Sequence, residues 1–170
     1  EVLRQTAISK DGTHVPMTIL RRKGTRLDGK NPTLLYAYGG FQVSETPYYS
    51  GTIGKLWLEH GGAYVLANIR GGGEFGPKWH NAAIKLNRQK AYEDFFDVSE
   101  DLIRRKITSP ARLGIMGGSM ARNLARFQKA VGDICVGQIS GAVGTYAQVS
   151  PKVEAYVCRR PGLKPAPISN

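Results

Sequence analysis

Apolar and polar side chains alternate loosely from Val2 to Ile8, then give way to Ser9-Lys10-Asp11-Gly12-Thr13. An Asp-Gly pair between alternating segments is a hairpin signal. A turn is therefore expected there, with a returning strand over Val15-Pro16-Met17-Thr18-Ile19-Leu20. Pro16 has no N–H to give a ladder, which puts this strand at a sheet edge or Pro16 at its start. A polar loop covers 24–32. Thr33-Leu34-Leu35-Tyr36-Ala37-Tyr38 is a short continuous apolar run that stops at Gly39-Gly40-Phe41, the pattern of a strand buried on both faces. Trp57-Leu58-Glu59-His60 predicts a short helix ahead of Gly61-Gly62. A second buried-type strand runs from Ala63 to Ile69 and ends in the glycine-rich loop Arg70-Gly71-Gly72-Gly73-Glu74-Phe75-Gly76.

From Ala91 to Lys106 the period becomes helical. Tyr92, Phe95, Phe96, Val98, Leu102 and Ile103 form the apolar stripe, and Glu93, Asp94, Asp97, Glu100 and Asp101 are assigned to the opposite face. Early acids and the late run Arg104-Arg105-Lys106 suit the helix dipole, and Ser109-Pro110 ends the segment. Leu113 to Met116 reads as a third strand. Strands and helix joined by short connections predict an α/β fold with a mostly parallel sheet. Such sheets place their sites beyond the carboxyl ends of the strands.

Composition changes this picture little. The 170 residues suffice for one domain, and 41% apolar with 22% charged residues is ordinary for a globular chain. No apolar run reaches the length of a membrane span, and Arg4 and Lys10 interrupt any leader-like segment, so a cytoplasmic protein without membrane association is expected. The first residue, Glu1, points to a processed chain or a fragment. Cys135 and Cys158 fit no zinc spacing. The 70–76 loop lacks the phosphate-binding glycine patterns, so no metal or cofactor is expected. The net charge of +11 raises nucleic-acid binding, but it is scattered. Residues 1–119 hold 17 basic and 11 acidic side chains, residues 120–170 hold 7 and 2, and solvated faces account for the small clusters.

Candidate chemistry centres on Ser119. Leu113-Gly114-Ile115-Met116-Gly117-Gly118-Ser119 is an apolar strand entering a small-residue turn with a serine at its tip, which is how a nucleophile elbow begins. A serine nucleophile needs a base, and in that architecture the acid and histidine follow the serine. His14, His60 and His80 all precede it.

Residues of about 8–119 resemble the catalytic domain of the prolyl oligopeptidase family. The resemblance rests on five pieces in order across about two-thirds of the chain. They are Ser9-Lys10-Asp11-Gly12-Thr13, Leu35-Tyr36-Ala37-Tyr38-Gly39-Gly40-Phe41, Ala67 to Gly76 with Trp79-His80, Tyr92-Glu93-Asp94-Phe95, and Gly117-Gly118-Ser119. The resemblance implies an α/β-hydrolase fold and serine-dependent cleavage of short peptides after proline, in enzymes whose β-propeller gates access. It implies Ser119 as nucleophile, and Tyr38 with the backbone N–H of Met120 as the oxyanion hole. Phe41 then belongs to the wall of the proline pocket. A donor aimed at the oxyanion is worth about 10²–10³ in rate. By residue chemistry alone, Tyr38 and Phe41 also fit ordinary core positions, and His80 beside Trp79 reads as structural.

The family pattern continues the elbow with Asn-Gly-Gly, whereas Met120-Ala121-Arg122-Asn123 follows here. Residues 120–170 contain no histidine, and their only acids are Asp133 and Glu154. One helix turn or two is expected from Met120 to Ala130, and a disordered end after it. Two units are thus expected: 1–119, the amino-terminal part of the catalytic domain, and 120–170, a divergent tail. A frameshift at the serine codon explains the abrupt change, and a divergent carboxyl end is the competing explanation. Another α/β-hydrolase, such as an esterase or a different oligopeptidase, and a non-catalytic basic binding module are the alternative functions.

Overall fold

A computed structural model describes residues 1–117. Ser119, Met120, the helix expected from Met120 to Ala130, both cysteines and the expected disordered end lie outside the described residues.

Five strands form one sheet in the order β1-β2-β4-β3-β5: β1 (Val2–Ile8), β2 (His14–Leu20), β3 (Thr33–Ala37), β4 (Ala63–Ala67) and β5 (Leu113–Gly117). The Asp-Gly turn forms as expected. Gly12 takes φ +82°, its N–H donates to Ser9 O at 2.8 Å, and β1 and β2 pair antiparallel from Val2↔Leu20 to Ile8↔His14. β2 then pairs antiparallel with β4, while β3 runs parallel to both β4 and β5. The sheet is therefore mixed, not mostly parallel. Hairpin-linked strands must be antiparallel, and β2 carries that direction into its contact with β4.

Pro16 lies inside the sheet, not at its edge. Its carbonyl accepts from Asn68 N at 2.9 Å, just past the end of the β2–β4 ladder. N–H and C=O of a strand residue point to the same side, so the missing donor of Pro16 faces that ladder end and leaves the β1 ladder intact.

The core lies between one sheet face and a single long helix, α3 (Gln89–Arg104). The sheet contributes Ala7, Met17, Ile19, Leu35, Val65 and Ile115, and α3 contributes Ala91, Phe95, Val98 and Leu102. β4 is buried along its whole length, whereas β3 alternates, with Thr33, Leu35 and Ala37 buried and Leu34 and Tyr36 half-buried. The two-faced burial expected of both strands thus holds for β4 only.

The helical segment ahead of β4 lies earlier than expected, as α1 (Gly51–Ile53) continued by a π turn over Gly54–Leu58. The Ser50 hydroxyl caps it, accepting from Ile53 N at 3.3 Å. Trp57 fastens it to β4 by donating its indole N–H to Ala63 O at 2.7 Å. A short helix, α2 (Pro77–Asn81), follows the glycine-rich loop. Among the described residues no helix is long and apolar enough to cross a membrane.

α3 begins at Gln89, so its first turn carries no acid. Asp94 and Asp101 do not face solvent but lie in the buried stripe, 0% and 1% exposed. Asp101 pairs with Arg104 and, at 2.7 Å, with Arg105. Arg105 also reaches Gln5 and donates to Thr6 O at 2.8 Å, tying the helix end to β1.

Phe95 is fully buried at the centre of this packing. Phe95→Ala should cost about 3–5 kcal/mol, read as a fall in the urea midpoint. A loss below about 1 kcal/mol would mean that α3 is not packed on the sheet in this way.

Candidate active site

The parallel strands bring three strand ends to one side of the sheet. Tyr36 lies opposite Leu66 of β4 and opposite Met116 of β5, and Ala37 lies opposite Gly117. Tyr38 leaves β3 beside the strand end that leads toward Gly118-Ser119. β4 leads into Asn68, Ile69 and the glycine-rich loop. This is the edge at which α/β sheets gather reacting groups.

Tyr38 is half-buried, and among the described residues its hydroxyl has no hydrogen-bond partner. The neighbouring Tyr36 differs: its hydroxyl donates to Glu45 Oε1 at 3.1 Å. Burial and the Glu45 carboxylate together raise the Tyr36 pKa, so that phenol stays neutral.

The chain turns sharply after Tyr38. Gly39 has φ +57°, and the non-glycine residues Phe41 and Gln42 take φ +49° and +57°. Left-handed backbone costs a residue with a Cβ about 1 kcal/mol or more and persists only where the surroundings fix it. Here the turn delivers Phe41 to solvent, 83% exposed. Phe41 is no part of the core, which leaves its ring free to line a site.

The glycine-rich loop 70–76 supplies the fixing surroundings. A Cβ on Gly39 would lie 2.4 Å from Ile69 Cγ1 and 3.0 Å from Arg70 O, and one on Gly71 would lie 2.5 Å from Gly39 O. A Cβ on Gly73 would lie 2.2 Å from Gln42 O. The two loops touch backbone to backbone, and side chains would force them apart. Gly73 N donates to Val43 O at 2.9 Å, and Val43 N to Gly40 O at 2.9 Å. Arg88, which lies against Gly71, donates to Gly39 O and stacks over Tyr92, 5.6 Å from the ring centroid. Glu74 Oε1 accepts from Glu45 N at 3.0 Å and from Asn68 Nδ2 at 3.2 Å, extending the seam past the turn.

His80 Nδ1 lies 2.6 Å from Gly71 O, which ties α2 to the glycine-rich loop. Trp79 donates to Ile69 O at 3.2 Å and meets Phe75 edge to face.

Arg70 carries an unexpected network. It is 4% exposed, and its Nε and Nη2 form a two-pronged pair with Asp94 at 2.8 and 2.6 Å. Its backbone N–H also donates to Asp94 Oδ2 at 3.0 Å, and its Nη1 reaches Asp11 in the β1–β2 turn at 2.6 Å. Burial alone would lower the Arg70 pKa, but the bonds to Asp94 and Asp11 outweigh it and raise it, so the cation persists. The guanidinium in turn holds the Asp11 carboxyl well below the usual carboxylate range. By its charge, Asp94 is expected on the solvent face. Its spacing from Ala91, Phe95, Val98 and Leu102 was the available signal that it belongs to the buried one.

A hollow of about 420 Å³ lined by Glu1, Arg21, Arg22, Leu58 and Glu59 contains none of the predicted site residues. Among the described residues no cluster of His, Cys, Asp or Glu could hold a metal ion.

Gly39→Ala should lower stability by about 1–3 kcal/mol in urea unfolding, because the added Cβ meets both backbone strain and Ile69. Asp11 gives a pH test. Its folded pKa lies below its unfolded value, so its stabilising contribution is complete above the ordinary carboxylate range and is lost as pH falls through and below it. The stability difference between wild type and Asp11→Asn should therefore be largest at neutral pH and shrink below about pH 4. A difference independent of pH would exclude the Asp11–Arg70 pair as its source.

Residues 47–120 match the profile of the prolyl oligopeptidase family. The uncharacterized peptidase y4nA of Sinorhizobium fredii is 66% identical over 113 residues, which cover 66% of this chain and 16% of that protein. The prolyl endopeptidase of Elizabethkingia meningoseptica is 45% identical over 111 residues, covering 65% of this chain and 16% of the enzyme. A solved post-proline cleaving enzyme from Rickettsia typhi superposes with a TM-score of 0.76 at 46% identity, over 82% of this chain and 21% of its own. The chain spans about 16% of the length of the curated relatives it matches. Its mixed sheet corresponds to part of their α/β-hydrolase domain, and the chain is a segment of the prolyl oligopeptidase family.

Proposed function

We propose that this chain is the amino-terminal part of a serine peptidase catalytic domain that cleaves peptide bonds after proline. The observation that carries the reading is the register of β3 with β5. Ala37 lies opposite Gly117, so the strand that ends in Tyr38 runs beside the strand that leads to Ser119. In this reading the Ser119 hydroxyl attacks the scissile carbonyl. The Tyr38 hydroxyl and the Met120 N–H hold the oxyanion, and exposed Phe41 packs against the proline ring of a short peptide. A Tyr38 hydroxyl with no partner among the described residues and the firmly seated turn after it suit a donor that must not reorganise during reaction.

No histidine follows Ser119 in the 170 residues, so the family's base has no counterpart in this sequence. Loss of triad members costs about 10⁴–10⁶ in turnover. The 170-residue chain should therefore show no measurable hydrolysis of a fluorogenic peptide with proline before the scissile bond. Turnover that Ser119→Ala abolishes would overturn that expectation.

The roles themselves are testable in a chimera in which residues 8–119 replace the matching segment of the Elizabethkingia meningoseptica prolyl endopeptidase. The chimera should cleave after proline, lose activity with Ser119→Ala, and lose about 10²-fold or more in kcat with Tyr38→Phe at little change in KM. A folded chimera whose kcat is indifferent to Tyr38→Phe would remove Tyr38 from the oxyanion hole.

A further inference from the structure

Arg70 shares no hydrogen bond with Tyr38 or Phe41, yet its main chain is in contact with the turn that follows Tyr38. On one side its side chain is locked to Asp94 of α3 and to Asp11 of the β1–β2 turn. On the other, its carbonyl lies where a Gly39 Cβ would be 3.0 Å away, and the next residue, Gly71, abuts Gly39 O. The Ser9 hydroxyl and Lys10 N–H both donate to Asp97 Oδ2, at 2.9 and 2.8 Å, so the hairpin turn is itself pinned to α3.

We propose that Arg70 is a positioning residue for Tyr38, passing the seating of the β1–β2 turn on α3 to the Gly39–Gln42 turn through the backbone of Gly71. A backbone held by three nitrogens of one guanidinium and by its own N–H has little freedom to slide. Gly71 and Gly73 then meet the 39–43 segment as a fixed surface, not as a yielding loop. The hairpin turn acts at a distance here: Asp11 shares no hydrogen bond or ion pair with residues 38–43, yet it holds the far end of the Arg70 side chain. The benefit to catalysis rests on the proposed role of Tyr38, whereas the coupling between the hairpin turn and the Tyr38 turn rests on geometry alone.

Amide hydrogen exchange tests the coupling without requiring activity, on the full 170-residue chain. Asp11→Asn removes the charge facing Arg70 but keeps a side-chain oxygen for the Thr13 N–H that Asp11 Oδ1 accepts at 3.0 Å. It should speed exchange of the Val43 and Gly73 amides about tenfold and shift the Tyr38 ring resonances, while α3 amides keep their protection. Asp11→Glu should restore most of the protection. Glu93→Gln serves as the control, because it breaks the Lys10–Glu93 pair (2.9 Å) at the same turn-to-helix junction without touching Arg70. It should leave Val43 and Gly73 unchanged. The proposal is overturned if Asp11→Asn leaves those two amides unaltered, loosens the whole chain equally, or is matched by Glu93→Gln. Loosened amides together with an active chimera that ignores Tyr38→Phe would keep the coupling and discard only the catalytic role.

Discussion

The fold hangs on a buried ion pair. Asp94 is fully enclosed and Arg70 nearly so, and neither charge is tolerable without the other. A two-pronged geometry with a further backbone donor meets the carboxylate's hydrogen-bonding needs, which is the condition under which such a pair offsets its own desolvation. Because the partners come from the loop after β4 and from α3, the pair also fixes how the helix sits across the sheet. A hydrophobic contact at the same place would add stability but would tolerate rotation and sliding. The planar guanidinium tolerates neither.

Around that anchor, specificity comes from missing side chains. Gly39, Gly71 and Gly73 let two loops approach to backbone contact, and three left-handed residues at 39, 41 and 42 turn an aromatic ring outward. Exposed Phe41 and half-buried Tyr38 therefore stand on a base far more rigid than their own exposure suggests. Placing reacting groups on loops that a stiff scaffold over-determines is a general solution for active sites.

Much of this was legible in the sequence. The Asp11-Gly12 turn, the apolar runs of β3 and β4 and the period of α3 are local patterns, and each element formed within a few residues of its expected place. Tyr38 and Phe41 were legible as candidates, but the left-handed backbone at Phe41 and Gln42 was not, since neither residue favours that conformation intrinsically. The sheet's mixed direction depends on β2 choosing β4 as neighbour, a long-range choice that no local pattern encodes. Asp94 and Asp101 misled because charge argues for solvent. Only the partners, one of them 24 residues away in sequence, reverse that preference.

The sheet register also sets a timetable. During synthesis the β1–β2 hairpin is complete early, β4 can join β2 and β3 once residue 67 has emerged, and Arg70 finds Asp94 when α3 appears. The partner of Thr33 in β5 is Leu113, so that edge closes last. At about 5–20 residues per second, chain growth separates these events by seconds, long compared with local folding steps. Gly71, Gly73 and Arg88, which shape the turn beyond Tyr38, are thus made before the strand leading to Ser119, so that turn can be seated without waiting for β5.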